Sequence, residues 1–180
     1  MEKREIRRLV AAHKRAMDEQ AREYEAQAVV ERLETIDELG SAGRILVYNS
    51  LPDELSTLHL LGKYNKDKQL FLPRVNGDDL EILPYDSAGI SVGAFGIGEP
   101  VGDELVDPSS IDLVIVPAMA YDRHGNRVGR GKGYYDRLLS RMQAVTIGIC
   151  YDCQLVDSIE PEQHDRPVDI VVTPSGIYRQ

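Results

Sequence analysis

A short β-rich apolar run, Asp112-Leu-Val-Ile-Val-Pro117, leads through a glycine-rich segment into an amphipathic stretch at residues 134–142. The run has the length and branching of a buried strand. Tyr135, Leu138, Leu139 and Met142 recur at helical spacing, so one face of the stretch after the loop can pack on a sheet. Strand, loop and helix in that order form the unit of α/β proteins, and the rest of the chain repeats it. Strands are predicted at 44–48, 69–73, 80–84, 144–150 and 168–173, with a helix at 54–64. Residues 2–39 are helix-like. Ile6, Leu9, Val10, His13 and Met17 fall on one stripe, Val29, Leu33, Ile36 and Leu39 on another, and Asp18 is placed to cap the second of two helices. Residues 90–108, rich in Gly and Pro (Gly93, Gly96, Gly98, Pro100, Gly102, Pro108), read as a long ordered loop. The expectation is one α/β domain over 1–180, a three-layer α/β/α arrangement with a mostly parallel sheet and an N-terminal helical pair packed on it.

The loop itself carries chemistry. Residues 120–136 hold four glycines, three arginines and a lysine, and Gly129, Gly131 and Gly133 alternate with Arg130 and Lys132. Glycines let the backbone approach a ligand closely while cations project between them, which suits a phosphate cradle. A strand-to-helix turn is also where open α/β sheets bind ligands. The segment is not a Walker A loop, because Lys132 precedes glycine rather than Ser or Thr, and its G-x-G-x-G spacing does not match a dinucleotide fingerprint. A solvated basic turn is the competing reading.

Charge narrows the choice of partner. With 30 acidic against 21 basic residues, the chain lacks the basic surface of a nucleic-acid or anionic-membrane binder. Its cations concentrate near the N-terminus and between Arg123 and Lys132, which fits a small polyanion, although helix-surface charge explains the first group equally well. The start, Met-Glu-Lys-Arg-Glu, leads into a charged helix and no stretch approaches a membrane span, so a cytoplasmic monomer is expected. Cys150 and Cys153 form a C-x-x-C, but Cys150 closes a strand rather than opening a helix, and no second Cys/His pair has matching spacing. A structural role is the simpler reading.

Three carboxylates stand out. Asp136 follows the cradle and suits either helix capping or Mg²⁺ held together with nucleotide phosphates. Asp169, before the strand Ile170-Val-Val172, suits either a turn or the same metal, if both lie at one sheet edge. Glu54, just past the first strand, suits a helix cap or an acceptor for a ligand's amine donors. No G-x-S-x-G or other nucleophile signature occurs.

Lys3-x-x-Ile-Arg7, the stretch 48–57 with Glu54, Gly96-Ile-Gly-Glu-Pro100, the run 122–136 ending Gly-Arg-Gly-Lys-Gly-Tyr-Tyr-Asp136, and His164-Asp-x-x-Val-Asp169 occur in this order. With these, the chain resembles the 5-formyltetrahydrofolate cyclo-ligase (5,10-methenyltetrahydrofolate synthetase) family. The resemblance implies ATP- and Mg²⁺-dependent closure of 5-formyltetrahydrofolate to 5,10-methenyltetrahydrofolate through a phosphorylated formyl group. It also implies site roles. Lys3 and Arg7 would reach ATP, and Arg127, Val128, Gly129, Arg130, Gly131, Lys132, Gly133, Tyr134 and Tyr135 would hold its phosphates and nucleotide. Arg130 and Lys132 would neutralise the transferred phosphoryl group, and Asp136 with Asp169 would bind Mg²⁺. Asn49, Glu54, Tyr134 and Tyr151 would meet the folate, with Gln154 at its border. The alternative is a nucleotide- or phosphometabolite-binding α/β module without ligase activity. An RNA binder that stacks bases on Tyr134 and Tyr135 is a second, opposed by the net charge.

Overall fold

A computed structural model describes residues 1–86, 90–92 and 98–180. The chain opens with α1 (Lys3–Ala16) and α2 (Glu19–Leu33), separated where Asp18 Oδ1 accepts a hydrogen bond from the Ala21 amide, the expected cap. A short α3 (Asp37–Ser41) precedes β1 (Arg44–Leu46), α4 (Leu58–Tyr64), β2 (Gln69–Asn76) and β3 (Asp79–Pro84). The hairpin β4 (Ile90–Val92) and β5 (Gly98–Pro100) comes next, then β6 (Leu113–Val116), β7 (Ala120–Tyr121), β8 (Arg127–Val128) and α5 (Tyr134–Leu139). The chain finishes with β9 (Val145–Ile149), β10 (Ile170–Thr173) and β11 (Gly176–Arg179).

Seven strands form one sheet in the order β11-β10-β9-β6-β1-β2-β3. The five central strands are parallel, and the two edges pair antiparallel. Alternation along each strand divides the core. Ile45 and Val47, Leu70 and Leu72, Leu113 and Ile115, Ile147 and Ile149, and Ile170 and Val172 face α2, α3 and α4. Leu46, Phe71, Val114, Val116 and Val171 point to the other side, where Leu138 and Leu139 of α5 cover them. The layers are therefore helix, sheet, helix, as the alternating pattern predicted. Each fully buried Leu, Ile or Val contributes about 1.5–3 kcal/mol, so this two-sided burial is the main source of stability. A third cluster seats α1, through Ile6 and Val10, on Met119, Ala120 and Val128 of the β7–β8 hairpin.

The strand order reverses between β1 and β6: β2 lies on one side of β1, and β6, β9 and β10 lie on the other. At such a switch point the chains leaving the two strands diverge and open a crevice at their C-terminal ends. Three details differ from the sequence expectation. The helix expected at 54–64 begins at Leu58, the 120–136 segment starts as a β-hairpin rather than a continuous loop, and the predicted long loop contains β4 and β5. Gly93 and Gly96 of that stretch lie outside the described residues. Among the described residues, no helix is long and apolar enough to cross a membrane.

Candidate active site

A cavity of about 1080 Å³ occupies the switch point. Tyr48 and Asn49 leave the end of β1 into it, and Pro117 and Ala118 leave the end of β6. Its wall is of two kinds. Tyr48, Leu51, Pro73, Val75 and Leu80 supply apolar surface, interrupted by Asn49 and Glu99. Among the described residues lining it, seven cations stand against five carboxylates, a local excess of positive charge in a chain whose formal net charge is −9. The cations are Lys3, Arg7, Arg127, Arg130, Lys132, Arg137 and Arg166.

The β7–β8 hairpin delivers the basic loop. Val128 is fully buried under α1 and does not line the cavity, whereas residues 129–133 do. Gly131 (φ 95°) and Gly133 (φ 68°) adopt the left-handed region that disfavours side chains, and Gly133 sits directly before α5. Backbone curvature therefore requires glycine at these two positions. Arg7 of α1 joins the loop by donating Nε–H to the Gly129 carbonyl at 2.8 Å.

The cations differ in how they are engaged. Lys3 bridges Asp165 at 2.5 Å and Glu162 at 3.1 Å. Burial alone would lower the Lys3 pKa, but these two carboxylates outweigh it and the net shift is upward. Arg127, with a side chain 5% exposed, pairs with Asp136 Oδ1 at 2.6 Å, while its buried Nε–H has no hydrogen-bond partner among the described residues. A buried donor left unmade costs about 1–3 kcal/mol, so this guanidinium is incompletely satisfied in the free protein. Arg130 is held by Asp53 and Glu54. Lys132 and Arg7 form no ion pair among the described residues. Together with Arg166, whose side chain also forms no ion pair among the described residues, they are the cations an incoming anion meets without first displacing a carboxylate.

Of the residues the sequence singled out, Lys3, Arg7, Asn49, Glu54, Arg127, Gly129, Arg130, Gly131, Lys132, Gly133, Tyr134, Tyr135 and Asp136 share the cavity wall. Four others do not: Val128, as above, and Tyr151, Gln154 and Asp169. Tyr151 is 2% exposed and donates its hydroxyl to the Glu54 carbonyl at 3.1 Å, so it supports the Glu54 loop from beneath rather than lining the cavity. Gln154 is likewise buried, its amide donating to the Ala118 and Met119 carbonyls and its oxygen accepting from the Tyr151 amide. Asp169 does not share an edge with Asp136. Its Oδ2 accepts from the Thr146 amide and hydroxyl, both at 2.8 Å, where β9 and β10 begin. The cavity opens at the opposite ends of the parallel strands. Sequence reading also placed too little weight on Glu99. This carboxylate is 8% exposed in the apolar wall, with Oε1 accepting from the Val75 amide at 3.1 Å, and its one sequence signal was the Gly-Glu-Pro motif. Burial raises the pKa of both C-x-x-C thiols, Cys150 most strongly, which disfavours the reactive thiolate and suits a structural role.

A cavity with an apolar compartment and a glycine-flanked cationic loop suits a two-part ligand set, one planar and one polyanionic. Residues 1–174 match the 5-formyltetrahydrofolate cyclo-ligase family. The chain belongs to that family. The Escherichia coli (strain K12) 5-formyltetrahydrofolate cyclo-ligase is 28% identical over 94% of this chain and 99% of its own. The Mycolicibacterium smegmatis protein of the same description is 31% identical over 96% and 93%. The solved structure of Aquifex aeolicus 5,10-methenyltetrahydrofolate synthetase superimposes with a TM-score of 0.90 at 34% identity, covering 99% of this chain and 93% of that one. The match to the family and to the Aquifex aeolicus structure spans nearly the whole fold, including the elements around the cavity.

Proposed function

We propose that this cyclo-ligase family member closes 5-formyltetrahydrofolate to 5,10-methenyltetrahydrofolate with ATP as phosphoryl donor. One observation carries the reading: a single cavity joins an apolar wall bearing Asn49 and Glu99 to the cationic loop 129–133. A formamide oxygen is a weak nucleophile, so its attack on the γ-phosphate depends on alignment and charge neutralisation rather than on a covalent enzyme group. Lys132 and Arg7, outside internal ion pairs, take the phosphates first. Arg130, anchored at the boundary with Glu54, supplies charge at the transferred group. Arg127 gains a partner for its orphaned Nε–H when an anion enters.

The carboxylates Glu54 and Glu99, with Asn49, accept and donate hydrogen bonds at the folate end, and Tyr134 and Tyr135 border both ligands. The formyl oxygen bonds to the γ-phosphorus as ADP departs. The N10 lone pair then attacks the activated formyl carbon, the carbon–oxygen bond breaks, phosphate leaves with that oxygen, and N10 loses its proton.

The donor set fits Mg²⁺ with one protein carboxylate rather than two. Asp136 lines the cavity, and its hydrogen bonds among the described residues, from Arg127 and from the Arg166 amide, both fall on Oδ1. Mg²⁺ in nucleotide sites is held by one or two carboxylates plus phosphates, so Asp136 with the ATP phosphates suffices. When bound, the ion would offset phosphate charge. The test is direct: purified protein, ATP, Mg²⁺ and 5-formyltetrahydrofolate are mixed and the near-ultraviolet absorbance of the methenyl product is followed. Absence of ATP-dependent product would leave the ligand-binding module as the better description.

A further inference from the structure

A lysine and a carboxylate outside the assigned ligand contacts hold the Arg130 guanidinium. Lys14, on α1, is 2% exposed, an unusual position for an ammonium group unless it is paired. Its Nζ donates to Asp53 twice, to the backbone carbonyl at 2.7 Å and to Oδ2 at 2.9 Å. The other carboxylate oxygen, Oδ1, accepts from Arg130 Nη2 at 2.7 Å. Asp53 thus has one oxygen on each cation. Desolvation pushes the Asp53 carboxyl up, but Lys14 and Arg130 outweigh it and hold it below the usual aspartate range.

The surrounding loop is fixed to match. Four successive carbonyls, of Pro52, Asp53, Glu54 and Leu55, accept hydrogen bonds from Arg22, Lys14, Tyr151 and Tyr48. Arg22 also donates to the Lys14 carbonyl, which ties α1 and α2 to the same point. On this platform Arg130 offers one edge, Nε and Nη2, to Glu54 and Asp53, and none of these bonds uses Nη1. An arginine with 43% side-chain exposure would otherwise sample many rotamers. The carboxylate clamp limits them.

We infer that Lys14 and Asp53 are positioning residues that orient Arg130 toward the transferred phosphoryl group, with Lys14 fixing Asp53 and Asp53 fixing the guanidinium. The inference rests on the proposed ligase reading. It predicts a signature that a purely structural role would not give. Asp53→Asn removes a negative charge beside a polyphosphate site, so KM for ATP stays the same or falls, while kcat drops about tenfold as Arg130 loses its orientation. General damage to the loop would instead raise KM and lower kcat together.

The experiment is a double-mutant cycle on the full chain, with kcat, KM for ATP and melting temperature measured for Lys14→Met, Asp53→Asn, Arg130→Gln and the two pairs with Arg130→Gln. The expected result is that Lys14→Met and Asp53→Asn each lower kcat alone but by less than about twofold once Arg130 is replaced, because their effect passes through that group. Any loss in melting temperature should persist in both backgrounds. Asp53, about half exposed, provides a folded variant should Lys14→Met unfold. Multiplicative kcat losses, or a rise in KM with kcat unchanged, would overturn the assignment. A wild-type chain without turnover would refute the ligase reading itself, a result distinct from failure of the cycle.

Discussion

Gly148→Ala tests how the fold delivers the basic loop. Gly148 lies in the middle of β9, and the fully buried Tyr121 ring of β7 packs directly over it. Tyr121 donates its hydroxyl to the Val116 carbonyl at 2.6 Å, which fixes the hairpin carrying Arg127 against the end of β6. A Cβ on residue 148 would lie 2.5 Å from Tyr121 Cε1 and 2.8 Å from its hydroxyl oxygen. Comfortable contacts are about 3.5–4.0 Å, so the ring must move roughly 1 Å in a packed core. Overpacking of this kind costs about 1–3 kcal/mol. Replacing a strand glycine by alanine returns about 0.5–1 kcal/mol of it through chain entropy. The net cost is about 0.5–2 kcal/mol, so at about 2–4 °C per kcal/mol for a chain of this size the melting temperature should fall by roughly 1–8 °C. Thermal unfolding followed by circular dichroism gives the value. In a Tyr121→Leu background the obstacle is gone, and the alanine should become neutral or stabilising. An undiminished penalty in that background, or a Gly148→Ala protein as stable as wild type, would refute the packing argument.

Two further outcomes follow from the site. Lys132→Ala should lower turnover far more than melting temperature, because Lys132 is exposed and makes no ion pair among the described residues; a large loss of stability with normal turnover contradicts this. The Lys3–Asp165 link sets a pH limit. Asp165 is desolvated, which raises its pKa, but the Glu162 amide and Lys3 bring it below the usual value overall. A depressed carboxylate contributes stability that is present above its unfolded pKa of about 4 and lost as pH falls through the lower folded value. Asp165→Asn should therefore flatten part of the acid limb of a stability profile below about pH 4, by no more than about 1 kcal/mol. An acid limb of unchanged steepness would place the effect elsewhere.

The parallel strands were legible because each is a short branched apolar run buried on both faces, and the helices because their apolar stripes repeat at helical spacing. The β7–β8 hairpin was not. Its strands are two residues each and enclose Asp-Arg-His-Gly-Asn126, so no alternation is long enough to read. The cradle could be picked out because glycine and cation types occur together in one segment, and the structure brings it to the same cavity wall as Glu54. Asp169 misled for a geometric reason: a residue opening a parallel strand lies at the edge opposite the ligand crevice. Tyr151 follows a strand at the correct edge, yet only the packing shows that its hydroxyl turns to the Glu54 carbonyl. The contact between Lys14 and Asp53 spans 39 residues and leaves no periodic trace. It depends on how α1 settles on the hairpin, which follows from tertiary packing.

The central claim is that the site places the γ-phosphate of ATP against the formyl oxygen of the folate. Single-turnover reaction with 5-[¹⁸O]formyltetrahydrofolate, followed by mass analysis of the released phosphate, tests it most directly. The account predicts one labelled oxygen in each phosphate released and unlabelled ADP. Label lost to water, with unlabelled phosphate, would show that ATP is hydrolysed without attack by the formyl oxygen and would contradict the account.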